Sequence, residues 1–94
     1  MITFTQFIPP NGIKRDITIS RPQEIENQAN DLIKYGCSFE IEILSTGHVS
    51  MEIMLKNNWS LANELVPNGP EVLSAVDRLI KRAHIRYEYG QDPL

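Results

Sequence analysis

The chain has a single cysteine, Cys37, so no disulfide can form within it. That scarcity fits a reducing compartment, because small secreted domains lean on several disulfides. Apolar residues nowhere run long enough to span a bilayer, and Met1 to Ile8 is too short and too polar for a signal-peptide core. The expectation is a cytoplasmic protein without a membrane partner. Glycine-rich phosphate loops are absent, and no His/Cys/Asp/Glu cluster has metal-ligand spacing. Catalytic, cofactor-binding and metal-binding residues are therefore none, and the sequence predicts a non-enzymatic protein. Positive charge is also scarce: nine Lys and Arg stand against twelve Asp and Glu. A nucleic-acid coat protein or a general binder of anionic membranes carries the opposite balance.

What is present is an ordinary globular composition over 94 residues, 41% hydrophobic and 22% charged. That length makes one domain, 1–94, with a real though small core. Charge is spread unevenly. Residues 1–21 carry Lys14, Arg15 and Arg21 against Asp16 alone. Residues 22–71 carry eight acids against Lys34 and Lys56, and residues 72–94 carry four bases against three acids.

The stretch Phe39 to Leu55 organises the fold. Phe39, Ile41 and Ile43 alternate with Glu40 and Glu42; Val49, Met51, Ile53 and Leu55 alternate with Ser50, Glu52 and Met54. Period-two alternation in two adjacent runs is a β-hairpin signal. Residues opposite one another in an antiparallel pair share a face, so Ile43 should face Val49, Ile41 Met51 and Phe39 Ile53. That register leaves Ser45-Thr46-Gly47 as the loop, with Gly47 where a three-residue loop needs a left-handed residue.

The remaining elements follow from punctuation and periodicity. Ile2 to Ile8 and Ile13 to Ile19 read as strands joined at Pro9-Pro10-Asn11-Gly12, with Ile13, Ile17 and Ile19 sharing a face on which Arg15 is the exception. Ser20 and Gln23 have capping-box spacing, and Ile25, Ala29, Leu32 and Ile33 form one helical stripe that Gly36 ends. After the central hairpin, Trp59 to Val66 reads as a short strand near an edge, with Leu61 and Leu65 on one face and Ala62 and Val66 on the other. Either Asn68 or Gly69 caps a second helix, which buries Val72, Val76, Leu79, Ile80, Ala83 and Tyr87. Residues 89–94 contain Gly90 and Pro93 and are expected to fray. The order ββαβββα predicts an α+β fold: a mostly antiparallel sheet with two helices packed on one face.

Several residues could carry chemistry or recognition. Glu40 faces Glu52 in the derived register, with Glu42 beside them. Paired carboxylates can share acid/base work, but no third group completes a site here. The better reading is an acidic sheet face that repels phosphates and attracts a basic protein surface. His48 and His84 belong to no cluster and read as polar surface residues; Cys37 has no adjacent base and reads as a structural thiol. Trp59 follows two asparagines at a turn, as either a cap on the core or an interface anchor. Arg78, Lys81, Arg82 and Arg86 form the one basic cluster, along a helical flank. They are the candidate phosphate contacts of an alternative reading as an RNA- or DNA-binding module. Cations late in a helix also complement its dipole.

Two resemblances add to this. From Ser20 onward, helix–strand–strand–strand–helix is similar in order to the double-stranded RNA-binding domain, and Ser45-Thr46-Gly47-His48 looks like that family's hairpin loop. Where that family opens its last helix with lysines, this chain has Asn68-Gly69-Pro70-Glu71, so no RNA-binding residues are carried over. The runs Phe39 to Ile53, Val66 to Val72 and Ala75 to Ile80, with the opening elements that end in Pro10-Asn11-Gly12, resemble small uncharacterised proteins encoded by phages and prophages. That resemblance implies an accessory protein that binds a host or phage protein, and it supplies no site residues.

Together these readings predict an interaction protein with Glu40, Glu42, Glu52 and Trp59 as candidate contacts. The partner is an unidentified protein rather than nucleic acid. A homodimer can form if the Trp59–Val66 edge pairs with its copy, Trp59, Leu61 and Leu65 supplying apolar cover.

Overall fold

The computed structural model describes residues 1–8 and 10–90. Five strands and two helices follow in the order β1 (Ile2–Ile8), β2 (Ile13–Ile19), α1 (Gln23–Lys34), β3 (Ser38–Ile43), β4 (His48–Met54), β5 (Ser60–Pro67) and α2 (Glu71–Ile85). A π-helical turn, Arg86–Gly90, extends the last helix. The class is α+β, and the element order is the one that patterning predicts. The strands form one sheet in the order β2-β1-β3-β4-β5. Three neighbouring pairs are antiparallel; β1 and β3 run parallel. A parallel pair needs a crossover, and β2 with α1 supplies it.

The central hairpin has the expected register: Ile43 lies opposite Val49, Ile41 opposite Met51, and Phe39 opposite Ile53. The Leu44 N–H donates to the His48 carbonyl at 2.8 Å, and the Gly47 N–H to the Leu44 carbonyl at 3.0 Å, so Ser45-Thr46-Gly47 is the loop. Gly47 has φ +88°. The alternation sends Phe39, Ile41, Val49, Met51 and Ile53 to one face, where all are buried. Ile2 and Phe4 of β1 join them, Phe4 meeting Phe39 edge-on at 5.5 Å between ring centres. Both helices close over this face: Ile25, Ala29 and Leu32 come from α1, and Ala75, Val76, Leu79, Ile80 and Ala83 from α2. Each large side chain so buried contributes roughly 1.5–3 kcal/mol.

Polar contacts then lock the helices together. Arg21 grips Asp77 through Nε at 2.8 Å and Nη2 at 2.7 Å. The Asp31 carboxylate meets His84 Nε2 at 3.0 Å. Tyr35 stacks on Tyr87 at 4.1 Å and donates its hydroxyl to Glu88. Tyr87 thus packs against the core, as its place in the helical stripe predicts.

Other details differ from the pattern reading. Ser20 does not cap α1. Pro22 occupies the N-cap position, and Glu26 reaches back instead, accepting from the Arg21 N–H at 2.9 Å and from the Met1 ammonium. Those two donors hold the Glu26 carboxyl below its ordinary pKa. Ile33 is exposed because α2 covers the opposite flank of α1, the one bearing Asp31 and Tyr35. At α2, neither Asn68 nor Gly69 takes the cap: Pro70 occupies the N-cap position with no side-chain cap bond, and the Val72 N–H bonds the Gly69 carbonyl. Leu61 and Ala62 are both buried, against strict alternation. The ladder passes from Ile53 opposite Ala62 to Met54 opposite Ser60, so Leu61 is the extra residue of a bulge, and the bulge resets the face. Leu65 consequently points outward. Tyr89 and Gly90, expected to fray, belong to the π-helical turn; the rest of the expected tail, 91–94, lies outside the described residues.

Candidate functional site

Because both helices sit on one face, the other face of the sheet is left without a covering layer among the described residues. The register builds that face row by row. One row crosses all five strands as Asp16, Thr5, Glu40, Glu52 and Asn63. The next runs Lys14, Phe7, Glu42, Ser50 and Leu65. The candidate acids Glu40, Glu42 and Glu52 are thus brought together at the sheet centre on β3 and β4. They line, with Phe7, Ile41 and Ser50, a shallow depression of about 110 Å³. All three are half-buried. Glu40 directly opposite Glu52 is a like-charge pair, which costs the fold roughly 0.2–1 kcal/mol.

Phe7 is the residue that pattern reading misses. Ile2 and Phe4 point into the core, so an odd position on the same strand faces outward, and Phe7 puts an aromatic ring beside the acids. Its parity was visible in the sequence. Its neighbourhood was not, because the parallel pairing of β1 with β3 leaves no local signal.

Trp59 is not a cap on the core: it is 67% exposed in the turn just before the edge strand β5. Its N–H bonds Asn57 Oδ1 at 3.1 Å, which fixes the turn and leaves the indole outside. It does not line the depression that Glu40, Glu42 and Glu52 share, so the structure does not gather all four candidate contacts into one site.

The basic cluster divides. Arg78 and Arg82 both pair with Glu64, which sits on the helix side of β5 with its side chain only 12% exposed. Arg82 also donates to the Asn63 main-chain carbonyl at 3.1 Å. In the β4–β5 ladder Gly47 bonds Asn68, so Ala62, Glu64 and Val66 turn their backbone groups toward β4, and Asn63, Leu65 and Pro67 turn theirs outward. Arg82 therefore occupies an outward acceptor of the edge, and Pro67 has no N–H to offer. Two supports for β5 pairing with its own copy weaken: Leu61 is buried in its own core, and part of the edge is already blunted. Lys81 and Arg86 are exposed, with no ion-pair partner among the described residues.

Cys37 and His48 each sit in local structural surroundings. Cys37 is half-buried against the core, and burial pushes its thiol pKa up, away from nucleophilic use at neutral pH. His48 Nδ1 lies 3.0 Å from Thr46 Oγ1 within the hairpin turn. No group of three or more His, Cys, Asp or Glu among the described residues could hold a metal ion. No described helix is long and apolar enough to cross a membrane.

Comparison with protein-family models, curated proteins and solved structures finds no match to this chain.

Proposed function

We propose that this chain is a small non-enzymatic accessory protein of the cytoplasm that acts by binding another protein, and that the open, acidic face of its sheet docks a basic surface. The observation that carries the reading is the row register at the sheet centre, where Glu40, Glu42 and Glu52 surround a depression floored beside Phe7. A sheet that keeps like charges opposite one another gives up stability, and an incoming Lys or Arg relieves that repulsion. The aromatic ring adds a flat apolar contact for an aliphatic stem or a guanidinium plane. The resemblance to phage and prophage proteins favours a phage-derived role against a host or phage protein.

The alternative reading, nucleic-acid binding along α2, rests on the exposed Lys81 and Arg86. Arg78 and Arg82, the other half of that cluster, are engaged by Glu64. Non-specific binding needs several phosphate contacts at once, and the acidic sheet face repels a polyanion.

Affinity capture from nuclease-treated native extract separates the two. The wild-type chain should retain a basic protein that a Glu40→Gln/Glu42→Gln/Glu52→Gln chain loses. Retention by that variant, or a catch that vanishes with nuclease, counts against the proposal.

A further inference from the structure

We infer that the outer edge of β2 joins a second copy of this chain, the two strands pairing antiparallel about a two-fold axis at Arg15 to form one continuous sheet. The inference is independent of the role given to the acidic face. Strand β2 is seven residues long and ends the sheet, with β1 on one side and no described element along the other. It contains no proline, and residues 13–16 are all exposed. This contrasts with the opposite edge, where Arg82 and Pro67 obstruct β5. An open edge presents a row of unpaired N–H and C=O groups, which is a template for another strand.

The sequence of β2 is complementary to itself. A two-fold axis perpendicular to the sheet keeps each face on its own side, so opposed residues must share a face. Centring the axis on Lys14 or on Asp16 sets like charges against each other. Centring it on Ile17 makes no ion pair. Centring it on Arg15 also sets Arg15 against its own copy, but of these registers it alone sets Lys14 opposite Asp16 of the second copy twice over on the outer face, and Ile13 opposite Ile17 of the second copy twice over on the inner face. The Arg15 at the axis is already drawn back over its own sheet, where its Nε donates to Gln6 Oε1 at 2.8 Å.

Apolar surface waits beside this edge on the helix side. Ile13 is 54% exposed and Ile33 is 48% exposed. Ile33 lies about 200° around α1 from Asp31, which faces α2, so it points toward the β2 side of the molecule. A second copy across the edge covers both.

Sedimentation velocity on the full chain between about 1 and about 100 micromolar reads the dimer. The mass should pass from monomer to dimer. Lys14→Asp or Asp16→Lys alone should raise the dissociation constant about tenfold or more, and the two together should bring it back to within about threefold, since the swap restores opposite charges across the axis. Ile13→Ser should weaken the dimer in the same direction, while Trp59→Ala should leave it unchanged. Circular dichroism of each variant shows that its fold is intact, as expected for exposed positions. A monomer throughout, a dimer indifferent to either single reversal, a double swap that does not restore it, or a dimer lost in Trp59→Ala would each overturn the inference.

Discussion

Arg82 of the last helix donates to the main-chain carbonyl of Asn63 on the edge strand β5, at 3.1 Å. The same side chain pairs with Glu64, one residue on, which Arg78 also holds. A basic flank that reads in sequence as a phosphate site is thus partly a clamp on a sheet edge. The clamp satisfies an acceptor that would otherwise invite a foreign strand.

Removing the clamp should show both effects. Arg78→Ala/Arg82→Ala should lower stability by about 1 kcal/mol, since the arginines are half exposed and such pairs are individually weak. It should also increase self-association through β5. Urea denaturation gives the first quantity and light scattering the second.

Gly47→Val isolates backbone conformation. Gly47 has φ +88°, and a Cβ placed there meets nothing within 4 Å. The cost is therefore conformational rather than steric crowding by neighbours. It should amount to about 1 kcal/mol or more, because a β-branched residue resists positive φ. Chemical denaturation of the variant against wild type is the check.

How much of this was legible follows from where the information resides. The hairpin of β3 and β4 could be registered to the residue, because strict alternation and the Gly47 turn are local and agree with each other. The capping-box spacing of Ser20 goes unused because Pro22, two residues later, sets the helix start and Glu26 takes over as the acceptor. Strict alternation puts Leu61 and Leu65 on one face, and the bulge that separates them leaves only weak alternation as its trace. The acids of the candidate site were visible as a cross-strand set. Phe7 was not, since it reaches them through a parallel pairing thirty-five residues away in sequence, from Phe7 to Glu42.

Tyr35 offers a pH reading of the seam between α1 and the chain's last described turn. Its hydroxyl donates to Glu88, and that bond with the nearby carboxylate charge raises the phenol pKa to about 12. A raised folded-state value means the bond's stabilisation is whole below the ordinary value of 10.0 and fades as pH climbs toward 12. Ultraviolet titration should show one phenolate step near pH 12 that disappears in both Tyr35→Phe and Glu88→Gln at the position of that step. A Tyr35 step at the ordinary value would remove Glu88 from the account.

The acidic face should trade stability for recognition. Glu52→Gln ends the like-charge opposition with Glu40 and should stabilise the chain by about 0.5 kcal/mol. The gain should shrink as salt is added, because the pair is only half-buried. Thermal denaturation at low and high ionic strength measures both.

The most direct test of the interaction reading is where the captured protein touches this chain. Amide chemical shifts recorded while that partner is added should move on β1, β3 and β4 around Phe7, Glu40, Glu42, Ser50 and Glu52, with little change along α2. Shifts concentrated instead at Lys81 and Arg86, with the sheet centre silent, would contradict the account.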